Sequence, residues 1–254
     1  MKTSALRIAG TSALLVWAAA GLSACGTPAG SADTAKNAET QAATPVPSAT
    51  ATPAPAQAKA YTSEELSAFV AQLKDAHGKP LSVMAAADLK KSVDQAKSLL
   101  ASISVEPAEC GPLALGGQTA STEGTAVAAG VAQDPATGAA TAVSLASGVD
   151  AKVIEQGLAQ SDALDKCSTL SFAAGGIKAD LKLTKLAALG STPARIAYRT
   201  DTTLADGRKQ STITGQVIEN GVLISVISSG GANEQDAVSR AGQLLDQAAA
   251  LVGK

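Results

Sequence analysis

The C-terminal half of the chain constrains the fold most, because short apolar segments there alternate with turn sequences. Asp206-Gly207 and Asn220-Gly221 are pairs that tolerate the positive φ of a tight hairpin. Each pair therefore predicts two antiparallel strands that follow one another along the chain. The whole pattern predicts these strands: Ala126–Gln133, Ala139–Ala146, Ser168–Ala173, Lys178–Leu186, Ala194–Leu204, Lys209–Glu219 and Val222–Ser228.

Helices are expected before and between these strands. Thr62 and Glu65 form a capping box, which predicts a helix that runs to about Ala76. A second helix is expected from Asp88 and a third over Asp150–Lys166. The second helix has one apolar stripe at helical spacing: Leu89, Val93, Ala96, Leu100 and Ile103.

The chain closes with a helix that is capped by Asn233. Its inward-facing side chains recur at helical spacing: Val238, Ala241, Leu244, Leu245, Ala248 and Val252. The sequence therefore predicts an α+β fold, in which an antiparallel sheet is packed by N-terminal helices and by a closing C-terminal helix. A disordered tether is expected to precede this domain.

The first 25 residues have the plan of a bacterial lipoprotein signal. Lys2 and Arg7 precede a short apolar segment, and the sequence Leu-Ser-Ala-Cys ends at Cys25. This lipobox predicts a signal peptide over residues 1–24 and fatty acylation, such as palmitate, on Cys25. The alternative is an ordinary signal peptide with a chance cysteine. Because two or three acyl chains hold a protein durably, we expect a lipid anchor on the outer face of the cell membrane.

Residues 25–60 follow the signal and consist mostly of Ala, Thr, Pro, Ser and Gly. The segment has too few large apolar side chains to offset the entropy of ordering it, so it is predicted to be a disordered tether. The rest of the chain divides by sequence into an N-terminal helical segment, residues 61–104, and an α+β domain, residues 105–254.

Composition and motifs exclude several classes of function. Without residues 1–24 the chain has 18 basic residues (20 − 2) against 22 acidic ones, a net charge of −4. Few aromatic residues remain, so nucleic-acid binding is not expected. No nucleophile, zinc-protease, phosphate-loop or dinucleotide motif is present, and we expect no enzyme activity, no cofactor and no metal site.

Cys110 and Cys167 are the two remaining cysteines. Outside the membrane, an isolated pair is most simply a disulfide. The alternatives are a reactive thiol, which needs a nearby base, or a metal site, which needs more Cys or His. The single histidine, His77, lies in a Gly/Pro loop and favours neither alternative.

Two polar features could mark an anionic ligand. The turn Ser228–Gly231 precedes the last helix and could cradle an anion at the helix N-terminus, although a flexible turn explains it as well. Arg195 and Arg199 share one face of a predicted strand, where a solvated sheet face is the alternative. The sequence assigns no ligand-binding residue.

Several of these segments together resemble the PknH-like extracellular domain of mycobacterial and related proteins. They are Pro107-x-x-Cys110, two strands, an Ala-rich helix that ends in "LDKCSTLSF", and "GVLISVISSGG" followed by "EQDAVSRAGQLLDQAAALV". The resemblance covers roughly Val105 to Val252. It implies an α+β sandwich-like domain with a cleft that binds an unidentified ligand. The family's domain carries two disulfides, whereas this chain can form one, and the tryptophan near the second cysteine is absent.

Three classes of function remain for this sequence. The first is a non-enzymatic, ligand-binding or sensor-type lipoprotein with an envelope ligand or protein as its partner. The second is a structural or protein-interaction module of the cell envelope. The third is a lipid carrier, which requires an apolar cavity of several hundred Å³. A polar cleft would favour the first class, and a filled core would favour the second.

Overall fold

The structure, a computed structural model, describes residues 59–111, 124–155, 164–174 and 177–254. The predicted signal peptide, Cys25 and nearly all of the predicted tether lie outside these residues. In the described part, one antiparallel sheet has the order β1-β3-β4-β9-β8-β7-β6-β5-β2. Its strands are β1 Ser82–Val83, β2 Ser104–Glu106, β3 Ala126–Asp134, β4 Ala139–Ser147, β5 Thr169–Ala174, β6 Ile177–Lys185, β7 Ile196–Leu204, β8 Lys209–Glu219 and β9 Val222–Ser229.

The strand predictions are confirmed, because all seven predicted strands are present with ends that differ by two residues or fewer. Both hairpin turns are also confirmed, with φ of 46° at Asn220, 77° at Gly221 and 82° at Gly207. The sequence missed β1 and β2, which contain two and three residues. In segments this short, no alternation of apolar and polar residues can be detected. They are strands only because each pairs with a neighbouring strand at an edge of the sheet.

Three α-helices have described bounds: α1 Ser63–Val70, α2 Ala86–Leu100 and α3 Glu234–Val252. A short 3-10 helix, Ala108–Cys110, follows β2. The predicted capping box is present, because Thr62 Oγ1 accepts the Glu65 N–H and Glu65 accepts the Thr62 N–H. The prediction that α1 extends to about Ala76 is wrong. The Asp75 carboxylate accepts the backbone N–H groups of His77 and Lys79, and this local turn replaces the end of the helix.

The middle helices are confirmed only in part. α2 begins two residues before the predicted Asp88, and its side chains Leu89, Val93 and Ala96 are half-buried. The Asp150 carboxylate accepts the Lys152 N–H, and residues 151–155 are helical. The continuation of that predicted helix over 156–163 lies outside the described residues.

The main hydrophobic core lies between one face of the sheet and the helices α1 and α3. β4 and β9 alternate strictly between buried and half-buried residues, so one side of each strand faces the helices. The residues that form this core in α3 include those predicted by sequence, among them Ala241, Leu244, Leu245, Ala248 and Val252. Residues 61–81 contribute Tyr61, Leu66, Val70, Leu73 and Leu81 to the same core.

Two glycines allow the loop between β6 and β7 to approach α3 closely. A Cβ atom at Gly242 of α3 would lie 2.6 Å from the backbone nitrogen of Gly190. A Cβ atom at Gly215 of β8 would lie 2.1 Å from a methyl carbon of Leu189, which is fully buried. The absence of side chains at both positions therefore lets Leu189 enter the core.

We predict that Gly242→Ala destabilises the protein, although alanine is the better helix former. Helix propensity alone would add about 1 kcal/mol of stability. The clash is with backbone atoms, which cannot move aside as a flexible side chain could, and overpacking of this kind costs ~1–3 kcal/mol. Urea unfolding monitored by circular dichroism measures the change, with the exposed Gln243→Ala as the control. An increase in the free energy of unfolding for Gly242→Ala would contradict the packing described.

The same loop is held by a carboxylate of α3. Asp246 accepts hydrogen bonds from the backbone N–H groups of Ser191, at 2.8 Å, and Thr192, at 2.7 Å. Burial alone would raise the pKa of Asp246, but these hydrogen bonds outweigh it and hold the pKa below its usual value. A carboxyl with a depressed pKa stabilises the fold above its unfolded pKa, and this contribution is lost as the pH falls through the folded pKa.

We predict that Asp246→Asn destabilises the protein by about 1–3 kcal/mol at pH 7, the usual effect of losing hydrogen bonds to a charged group. The difference from wild type should shrink as the pH falls below about 4, because the unfolded carboxyl then binds a proton whereas the folded one, with its depressed pKa, does so only at lower pH. Urea unfolding at pH 7 and pH 3 measures this, with the exposed Asp88→Asn as the control. A difference of equal size at both pH values would show that the charge of Asp246 is not involved.

A second hydrophobic cluster lies on the opposite face of the sheet. It consists of Cys110, Leu164, Cys167, Leu170 and Leu183, with Val105, Leu181 and Tyr198 packed against them. Strand β7 belongs to both clusters. Ala197 packs against the main core, whereas the next residue, Tyr198, packs against the second cluster on the other face. The two halves of the sheet therefore bury opposite faces.

Candidate functional site

The part of the sheet that α3 does not cover presents two rows of polar side chains on the helix-bearing face. In the first row, the strand register places Thr169, Lys182, Asp201 and Ser211 side by side on β5, β6, β7 and β8. The second row continues two residues further along each strand. It consists of Ser171, Asp180, Thr203 and Lys209. Neighbours across strands lie ~4.5–5.5 Å apart at Cβ, so the rows form one continuous polar surface.

These rows form the floor of a cleft of about 410 Å³. Most of the residues that line the cleft are polar, although carbon atoms form most of its exposed surface, and its position is fixed by strands rather than by a loop. The residues that line it are Thr169, Asp180, Leu181, Lys182, Asp201, Thr203, Lys209, Gln210 and Ser211. We take this cleft as the candidate binding site.

An ion-pair network connects the cleft to the N-terminus of α3. Arg199 donates to Asp201, at 2.8 Å, and to Glu234 in the first turn of α3. The hydrogen bond to Glu234 raises the pKa of Arg199; burial opposes this effect, and the nearby charge of Asp201 adds to it. Ser211 also donates to Asp201 through its hydroxyl. Asp201 is therefore held in one position by partners on two strands.

Other charged groups of the cleft are not paired. Among the described residues, Lys182, Lys209 and Asp180 form no ion pair, and all three are exposed. Two ammonium groups thus stand among the hydroxyl groups of Thr169, Thr203 and Ser211. Such a surface can bind an acidic group through its lysines and ligand hydroxyls through Asp180 and the threonines.

Arg199 is half-buried and its two terminal nitrogens donate to two carboxylates, whereas its buried Nε has no hydrogen-bond partner. Neither interpretation made from sequence, an anion-binding residue or a solvated sheet face, describes this arrangement. Arg199 instead holds the carboxylates of Asp201 and Glu234 at the edge of the cleft. Arg195 is exposed and precedes β7, which begins at Ile196 rather than at the predicted Ala194.

The turn Ser228–Gly231 is also occupied by the protein's own groups. A Cβ at Gly231 would lie 2.1 Å from an oxygen of Asp236, so a carboxylate already stands where an anion would bind. Arg240 donates to the carbonyl oxygens of Ser229 and Gly230. The structure therefore favours the turn over the anion cradle.

The sulfur atoms of Cys110 and Cys167 lie at disulfide-bonding distance, with 5.7 Å between the Cα atoms, as the sequence predicted. This bridge lies on the face of the sheet opposite the cleft. Tyr198 belongs to the same cluster, and burial raises the pKa of its hydroxyl. The hydrogen bond to Thr214 lowers this pKa but does not outweigh the burial. In the described ranges, no group of three or more His, Cys, Asp or Glu residues could hold a metal ion.

One further surface does not form a site. A hollow of about 590 Å³ follows α2, but its lining residues all come from one face of that single helix, among them Lys90, Asp94 and Ser98. A surface with one wall is open to solvent and cannot enclose a ligand. No helix in the described part of the chain is long and apolar enough to cross a membrane.

The solved structures that the chain is similar to include two mycobacterial ones. The chain is similar to the extracellular domain of PknH from Mycobacterium tuberculosis, with a TM-score of 0.45, 11% identity and coverage of 75% of this chain and 98% of that one. It is also similar to an uncharacterized protein of Mycobacterium smegmatis, an Rv0999 ortholog, with a TM-score of 0.39, 17% identity and coverage of 60% and 77%. PknH is the protein whose extracellular domain the sequence resembles. No family model and no curated protein matches the chain.

Proposed function

We propose that this chain is a lipid-anchored protein on the outer face of the cell membrane, whose α+β domain binds an acidic, hydroxyl-rich ligand in the cleft. The observation that carries the ligand proposal is the pair of unpaired lysines, Lys182 and Lys209, among hydroxyl groups on a rigid sheet. A carboxylated or phosphorylated sugar has the matching groups. The proposed role is recognition or sensing, without catalysis.

The anchoring part of the proposal is supported by the sequence and by the disulfide. The lipobox at Cys25 and the tether after it have the order expected of a lipoprotein. A buried cystine of Cys110 and Cys167 is typical of proteins that fold in an oxidising compartment outside the cytoplasm. The similarity to an extracellular domain agrees with that location.

We predict that Cys25→Ala abolishes acylation, because the thiol is the group that accepts the lipid. Metabolic labelling with an alkyne fatty acid, followed by purification and fluorescence detection, measures acylation in the whole chain. Cys167→Ala is the matched control, since it removes a cysteine that lies in the folded domain. Equal labelling of wild type and Cys25→Ala would refute the anchor.

For the cleft, we predict that Lys182→Gln with Lys209→Gln weakens binding of N-acetylmuramic acid or glucose 6-phosphate at least tenfold. Each lost hydrogen bond between a charged pair costs about 1.5–3 kcal/mol, and 1.4 kcal/mol is tenfold in affinity. Titration calorimetry or NMR chemical-shift mapping measures binding to each acid. The control is Lys90→Gln with Lys91→Gln on α2, which removes the same charge away from the cleft. If wild type binds neither acid, or if both double variants bind like wild type, the assignment of the cleft fails.

The second candidate is a structural or protein-interaction module of the envelope. It is favoured by the filled main core, in which Val70 and Leu81 close over Gly130 and Leu189 closes over Gly215. A lipid carrier, the third class, has less support because, among the described residues that line the cleft, only Leu181 is apolar. Failure of both acids to bind the cleft would leave the interaction module as the better account.

A further inference from the structure

Among the described residues, two carboxylates line the cleft, and one of them is free to meet a ligand. Asp201 accepts hydrogen bonds from Arg199 and Ser211, so its charge is already matched by the protein. Asp180 is exposed and forms no ion pair in the part of the chain that the structure describes. The lysines of the cleft account for an acidic group on the ligand, but they leave the charge of Asp180 unmatched.

Asp180 has a hydroxyl-bearing neighbour on each side. The strand register places Ser171 of β5 and Thr203 of β7 directly opposite it. Side chains at such positions point to the same face, with Cβ atoms ~4.5–5.5 Å apart. The result is a row of three acceptors with a carboxylate at its centre. An ammonium group, which has three N–H donors and no acceptor, suits this row.

Charge favours an amino group over a further hydroxyl group at Asp180. Lys182 lies two residues from Asp180 on the same face of β6, a distance of ~7 Å along the strand. An acidic group held by this lysine is therefore near a like charge, which opposes its binding. A ligand that also carries an amino group converts this repulsion into attraction. Hydrogen bonds between charged groups are moreover about twice as strong as neutral ones.

The spacing of the two kinds of group suits a single sugar ring. Lys209 and Asp180 belong to the same row of the cleft, with Thr203 between them. Because neighbouring strands lie ~4.8 Å apart, the Cβ atoms of Lys209 and Asp180 are ~10 Å apart. The long side chain of Lys209 reaches over part of this distance. A hexose with its amino and acidic substituents at opposite ends of the ring can bridge the remainder.

We infer that the ligand of the cleft is an acidic amino sugar, with Lys182 and Lys209 binding its acidic group and Asp180 binding its protonated amino group. This inference rests on the proposed function, because the lysines must hold the acidic group. It narrows the ligand from any acidic sugar to one that also carries a positive charge.

Two sugar phosphates that differ at a single position test the inference. At about pH 6, below the pKa of an α-amino group, glucosamine 6-phosphate has an ammonium group where glucose 6-phosphate has a hydroxyl group. Titration calorimetry on the purified whole chain measures both affinities. The wild type should bind glucosamine 6-phosphate about threefold to fivefold more tightly, in the upper part of the range for exposed ion pairs.

Asp180→Asn should abolish this preference without weakening the binding of glucose 6-phosphate. The matched control is Glu106→Gln. Glu106 is exposed next to Ser171 on the same face of the sheet, but it does not line the cleft. This variant removes the same charge and should keep the preference. Circular dichroism melting establishes that each variant is folded.

The outcomes distinguish this inference from the proposed function. If the wild type binds neither phosphate, the proposed function fails and the inference fails with it. Equal affinities of the wild type for the two phosphates would overturn the inference alone, and Asp180 would then be a solvated carboxylate screened by Lys178 and Lys182. A preference that survives in Asp180→Asn would place the amino group elsewhere. A preference that disappears in Glu106→Gln would show a response to the overall charge of the face, and either result overturns the inference.

Discussion

The packing of α3 on β4, β8 and β9 holds the largest part of the core, and the chain has few bulky side chains with which to build it. Leu244, Leu245 and Val252 of the helix lie against Ile213, Val222, Ile224 and Val226 of the sheet, all of them buried. Glycine at 242 and 215 brings the helix and the Leu189 loop close to the sheet. Close approach thus replaces the bulk that aromatic residues supply in other cores.

Because α3 covers only one side of the sheet, strands β5–β7 need another way to bury their apolar residues. They bury the opposite face, against the segment that carries Cys110 and Cys167. This cluster is small and buries little apolar area. A disulfide stabilises it by reducing the conformational entropy of the unfolded chain. The consequence is an uncovered helix-side face on β5–β8, and this face forms the floor of the cleft.

Local patterns made most of the fold predictable, whereas the cleft depends on register. Strands such as β4 and β9 show their alternation within eight or nine residues, so the sequence alone identifies them. Lys182, Asp201 and Ser211 are distant in the chain and become neighbours only through the pairing of β6, β7 and β8. The sequence also contains no sign of which strands α3 leaves uncovered, and a turn at Asp75 ended α1 earlier than its helical spacing indicated.

The open face also needs protection from association with other sheets, and its side chains provide it. Along β6, Lys178, Asp180 and Lys182 alternate with Ala179, Leu181 and Leu183, which belong to the opposite face. A solvated antiparallel sheet face with charges of both signs resists the pairing and stacking that a flat apolar face would invite. Protection from aggregation accounts for charged residues at these positions, and the proposed ligand binding would use the same residues. Protection from aggregation does not require the side chain of Asp201 to be fixed in one position. Arg199 on β7 and Ser211 on β8 nevertheless fix it by donating to its carboxylate. That rigidity is what the proposed ligand-binding role would require.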